Sequence, residues 1–78
     1  MIRLDLAHLS REGLERVITE RCAEFGSVVS VVIVQDSPRY NFALASVEMA
    51  SREEAVEVLR RLGDSRVDDS VLIRIEQE

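Results

Sequence analysis

The chain lacks tryptophan and lysine altogether, and it holds a single cysteine, a single histidine and three aromatic rings in 78 residues. With only Phe25, Tyr40 and Phe42 to supply rings, the core is expected to be aliphatic. One cysteine excludes an internal disulfide, and Cys22 with the lone His8 makes no metal cluster. Cys22 therefore reads as a small apolar residue on a buried helix face. There is no glycine-rich phosphate loop and no nucleophile paired with a base, so no catalytic residue, cofactor or metal is assigned. His8 reads as a polar residue that shapes the first strand–helix connection. The longest apolar run, Val28 to Val34 with Ser30 inside it, is too short to cross a bilayer, which argues against a membrane partner. No basic-then-apolar segment opens the chain, and the expected location is cytoplasmic.

Positive charge is also scarce. Fifteen acids against ten bases give a formal net charge of −5 and a sequence pI near 4.8, the wrong sign for a binder that relies on phosphate neutralisation. Hydrophobic residues at 46% and charged residues at 32% still match a folded domain rather than a disordered chain. The expectation is one domain spanning residues 1–78, burying roughly 60% of the surface of its unfolded chain.

What is present is organised around Gly26 to Met49. Val28 to Val34 is almost entirely β-branched, and Asp36-Ser37-Pro38 ends it with turn formers. From Tyr40 a second strand alternates, with Phe42, Leu44, Ser46 and Glu48 on one face and Ala43, Ala45, Val47 and Met49 on the other. Before this hairpin, Met1 to Leu6 alternates like a strand. Ser10 then caps a helix expected over about 11–24, with Leu14, Val17, Ile18 and Cys22 on one side and Gly26 beyond its end. After the hairpin, Ser51-Arg52-Glu53-Glu54 forms a capping box for a second helix that Gly63 stops. Asp64 to Ser70 reads as a polar connection, and Val71 to Ile75 as a last strand.

The order strand, helix, strand, strand, helix, strand predicts an α+β, ferredoxin-like βαββαβ sandwich. Such a fold has a four-stranded antiparallel sheet with two helices on one face. Val17, Ile18, Val31, Ile33, Ala45, Val47, Leu59, Leu62 and Ile73 are expected to be buried. The uncovered face should show Arg3, Asp5, Val32, Val34, Tyr40, Phe42, Leu44, Ser46, Glu48, Leu72 and Arg74.

Three stretches resemble the RNA recognition motif family in this order and spacing. Leu4-Asp5-Leu6-Ala7-His8-Leu9 is similar to its first-strand hexapeptide in the apolar positions. Phe25-Gly26-Ser27-Val28-Val29-Ser30-Val31 through Asp36 resembles its second strand. Met49-Ala50-Ser51-Arg52-Glu53-Glu54-Ala55 resembles the entry into its second helix. The resemblance implies single-stranded RNA as partner, bound by aromatic side chains on which unpaired bases stack. The chain departs from that pattern: Asp5 stands at the hexapeptide's aromatic position, and Leu44 and Ser46 at the octapeptide's two stacking positions. A register shifted by two residues restores Phe42 alone. Each stacked base is worth about 1–3 kcal/mol, so two or three lost platforms forfeit roughly 2–9 kcal/mol.

The expectation is a non-enzymatic binding module with weak or atypical single-stranded RNA binding, carried by Arg3, Arg39, Tyr40, Phe42, Leu44 and Arg74. The alternative is a protein-interaction or self-association module that uses Val32, Val34, Phe42 and Leu44. Its basis is a flat second strand at the sheet edge with no evident bulge, which leaves backbone groups free to pair with another chain. On a third reading, Tyr40 and Phe42 merely pack on the hairpin.

Overall fold

A computed structural model describes residues 2–37 and 39–78. Met1 and Pro38, which entered the first-strand and hairpin-turn readings, lie outside the described residues. Strand β1 spans Ile2–Leu4 and is followed by a 3-10 turn, Leu6–His8, and helix α1, Arg11–Ala23. The hairpin strands are β2, Val28–Gln35, and β3, Phe42–Met49. Helix α2 spans Arg52–Arg61, and the chain ends with β4, Ser65–Val67, and β5, Ser70–Gln77. The element order is that of a ferredoxin-like α+β fold with one short strand added.

Local chemistry accounts for the helix boundaries. The Ser10 hydroxyl accepts a hydrogen bond from the Gly13 N–H at 3.0 Å, and the Ser51 hydroxyl accepts one from Glu54 N–H at 3.2 Å. The Glu54 carboxylate accepts from the Ser51 hydroxyl at 3.1 Å through one oxygen and from the Ser27 N–H at 3.1 Å through the other, tying the start of α2 to the entry of β2. Gly26 lies between them with φ +153°, and a Cβ there would come within 2.5 Å of the Glu54 side chain. The backbone angle calls for glycine, and any side chain there would displace the Glu54 carboxylate from Ser27.

The sheet order is β1-β5-β3-β2, with β4 pairing β5. The expected four antiparallel strands become five in a mixed sheet, because β1 runs parallel to β5 while the β5–β3 and β3–β2 pairs are antiparallel. The last strand thus lies centrally, beside β3. Length and burial explain this: β5 has eight residues and fully buries Val71, Ile73 and Ile75, whereas β1 has three residues and buries Ile2. Across the β3–β5 ladder Ile75 and Ile73 meet Ala43 and Ala45, large against small, and Val71 meets Val47. The polar connection Asp64 to Ser70 contains β4, which returns to β5 through Asp68 in the left-handed region at φ 54°. Aspartate tolerates that conformation better than most residues.

Leu14, Ile18 and Cys22 of α1 and Ala55 and Val58 of α2 join Ile33, Ala45, Val47 and Ile73 in one core. Ile18, Ile33, Ala45, Val47 and Ile73 are buried as expected. Val17, Val31, Leu59 and Leu62 are half-buried instead, because they sit at the margins of the helix–sheet interface. Burial pushes the Cys22 thiol up to about 11, which keeps it protonated.

Candidate nucleic-acid interface

The sheet face turned away from the helices is uncovered, and the strand registers place its residues in rows. One row runs Arg3, Glu76, Phe42 across β1, β5 and β3, and the next sets Arg74 opposite Leu44. Farther along the strands come Ser65, Leu72, Ser46 and Val32, then Val67, Ser70, Glu48 and Ser30. Rings and guanidinium groups therefore gather at one end of the face, beside the β2–β3 hairpin.

At that end the Arg74 guanidinium lies 3.9 Å from the centre of the Phe42 ring, a cation–π contact. The same guanidinium donates to Glu76 at 2.7 Å, so a carboxylate locks it in place. The Tyr40 ring stands 5.4 Å from Phe42 and is tilted 44° to it. One face of Phe42 is thus occupied by Arg74, while Tyr40, 54% exposed, remains available. Arg3 and Arg39 are exposed and carry no carboxylate partner among the described residues.

The structure thus brings Tyr40, Phe42, Leu44 and Arg74 together, sets Arg3 across Glu76 from Phe42, and puts Arg39 in the adjoining turn. Asp5, expected on this face, lies past the end of β1. Its carboxylate meets His8 Nδ1 at 2.6 Å and accepts from Gln77 Nε2 at 3.3 Å. The His8 hydrogen bond, helped by the one from Gln77, holds Asp5 below the usual carboxylate range. The Leu4–Leu9 stretch is not one strand, since the chain turns into the 3-10 turn after Leu4.

Val32 and Val34 are each 53% exposed, and β2 is an edge strand as expected. It is not flat. Val28 faces Met49 while Ser30 faces Glu48, and Ile33 faces Ala45 while Gln35 faces Leu44, so Val29 and Val34 are each an extra residue at a β-bulge. Bulges twist an edge away from incoming strands. The Gln35 side chain reinforces the second one by donating to the Phe42 carbonyl at 2.9 Å and accepting from Ser37 N–H at 2.8 Å.

Three features at this end were missed in the sequence. Glu76 continues the two-residue period of the last strand one step past Arg74, a signal that extending that strand would have caught. Asn41 stands between two rings in the sequence. The third is tertiary: Arg11 Nε and Nη2 donate to the two Asp36 carboxylate oxygens at 3.1 Å each, joining the start of α1 to the end of β2. That hydrogen-bonded pair holds Asp36 below the usual carboxylate range and raises Arg11. No group of three or more metal-ligating side chains occurs among the described residues, and no described helix is long and apolar enough to cross a membrane.

No curated protein and no solved structure matches the chain in the comparisons made. The family model of the RNA recognition motif matches residues 6–73, which takes in Arg39, Tyr40, Phe42 and Leu44 and leaves Arg3, Arg74 and Glu76 outside. A match over that much of the chain shows the family. The chain belongs to the RNA recognition motif family, whose domains are generally non-catalytic RNA-binding modules.

Proposed function

We propose that the domain binds single-stranded RNA weakly, at the hairpin end of its open sheet face. The observation that supports this most is the clustering of Tyr40, Phe42 and Arg74, with Arg3 beside them, at one end of a face whose remaining side chains are serine, aliphatic or glutamate. In this reading Tyr40 stacks one base, and a second base reaches Phe42 only by displacing Arg74. Arg3 and Arg39 contact phosphate, and Leu44 gives apolar support beneath the sugar or base. Affinity is low because the face away from the hairpin offers Leu72, Ser46 and Val32 where stacking would need rings. The net charge of −5 opposes any long-range gain from the phosphates. Titration of short single-stranded RNA pools followed by NMR is expected to give micromolar or weaker binding that fades steeply with salt. Submicromolar, sequence-selective binding at physiological salt would contradict this reading.

A second reading is favoured by one observation, the half-exposed Val32 and Val34 on the edge strand, with Val32 across from Ser46 and Val34 at the bulge before Gln35, which faces Leu44. Here the apolar edge and face receive a protein partner or a second copy. The two bulges work against strand pairing, so the contact would be made by side chains. Sedimentation of the wild type against Val32→Lys and Val34→Glu tests it. Concentration-dependent association lost in both folded variants supports the contact, and a wild type monomeric at high micromolar concentration removes it.

A further inference from the structure

Beside the hairpin end, a cleft of about 480 Å³ opens between the 3-10 turn with the start of α1 and the β2–β3 connection. Its volume falls within the roughly 300–1,000 Å³ of sites that enclose small ligands. Leu6, Leu9 and Leu14 line one side, and Tyr40 and Phe42 the other. Most polar groups around it already have partners. Asp36 accepts both Arg11 donors, Ser10 accepts from Gly13, and Gln77 accepts from Leu6 N–H while donating to Asp5. Asn41 also lines the cleft; it is exposed, and its side-chain amide has no hydrogen-bond partner among the described residues.

We infer that this cleft takes one nucleobase of the bound RNA, with the Asn41 amide reading the base's edge. The inference rests on the proposed RNA binding and specifies where its selectivity arises. The leucine wall and the two rings suit the flat, weakly solvated faces of a base, and the polar remainder of the lining suits its edges. The free amide supplies one donor and one acceptor in a plane, which matches the paired donor and acceptor on a base edge. Charge is consistent with the same occupant, because Arg39, exposed and without a carboxylate partner among the described residues, adjoins Tyr40 and Asn41 in the chain. The open face, in contrast, holds no unpartnered side-chain amide among the described residues. Selectivity therefore belongs to the cleft, and the face contributes affinity without sequence preference.

The experiment is an NMR titration of 15N-labelled wild type, Asn41→Ala and Ala7→Trp with single-stranded oligomers of each base. Ala7 is exposed and lines the cleft, so tryptophan there fills it from the surface, and amide-shift dispersion reports whether either variant stays folded. Expected are wild-type shifts at Ala7, Leu9 and Asn41, a preference of fivefold or more for one base, and loss of that preference in Asn41→Ala. Ala7→Trp should lose the cleft shifts while keeping those at Arg74. Oligomer binding that is equal in all three proteins, with shifts on the face alone, would overturn the cleft and leave the proposed function standing. No binding by the wild type would overturn both. Cleft shifts that follow protein concentration without RNA would show a second copy as the occupant, and would likewise overturn the inference.

Discussion

The two ends of the open face rest on the same strands and the same core, yet they differ in chemistry. At the hairpin end, Tyr40, Phe42, Arg74 and Glu76 form a connected cluster of rings and charges. At the far end, Ser46, Leu72, Val32, Ser70 and Ser30 present short side chains, with Glu48 as an anion. On the proposed reading, an RNA strand would find rings and cations at the hairpin end, and short side chains with the Glu48 carboxylate along the rest of the face. The difference teaches that fold alone does not distribute binding chemistry over a sheet; a few residues near one turn do.

The strongest way to break the comparison is to remove the floor common to both ends. Ile73 is fully buried beneath the middle of the sheet, so Ile73→Ala is expected to cost about 2–5 kcal/mol in urea denaturation and to abolish any difference between the ends. A loss below about 1 kcal/mol would mean that this strand does not carry the core. Tyr40→Ala comes next. Removing one stacking ring should weaken RNA binding about five- to 150-fold, equivalent to about 1–3 kcal/mol, while Ser46→Ala and Val32→Ala leave affinity unchanged.

Charge changes sharpen the contrast with smaller effects. Arg3→Ala and Arg39→Ala should each lower affinity modestly and reduce the salt slope by about 1 if each contacts a phosphate. Glu76→Gln should act oppositely: it frees the Arg74 guanidinium and removes an anion, so binding measured by anisotropy is expected to strengthen. The smallest effect is on stability against pH. Asp36 titrates below its ordinary value in the folded state, so its contribution is present above about pH 3.9 and is lost as pH falls through the folded value. Both partners are solvent-exposed enough that the gain is small. Urea midpoints between pH 5 and pH 3 should therefore fall slightly less for Arg11→Ala than for the wild type.

Legibility followed the range of the interactions. Ser10, Ser51 and Gly26 announce helix ends through bonds that span a few residues, and the two-residue period of Phe42 to Met49 assigns the faces of β3 correctly. The central place of β5 was hidden because it depends on Ile75, Ile73 and Val71 meeting Ala43, Ala45 and Val47, pairings more than twenty residues apart in the chain. β4 was missed because Ser65, Arg66 and Val67 are all exposed and leave no apolar alternation. The bulges at Val29 and Val34 had no residue signature inside a run of valines. At the candidate site, Arg39, Tyr40, Phe42 and Arg74 could be named from strand period and charge. That Arg74 covers Phe42, and that Glu76 restrains Arg74, is tertiary geometry which no spacing rule supplies.

The central claim is that RNA meets the open sheet face only at its hairpin end. Its most direct test is a 15N amide-shift titration of the wild type with short single-stranded RNA at low salt, comparing the two ends residue by residue. The account predicts progressive shifts at Arg3, Arg39, Tyr40, Phe42, Arg74 and Glu76, with Ser30, Val32, Ser46 and Leu72 unmoved. Shifts centred on Ser46, Leu72 and Val32, or no shifts at either end at millimolar RNA, would contradict it.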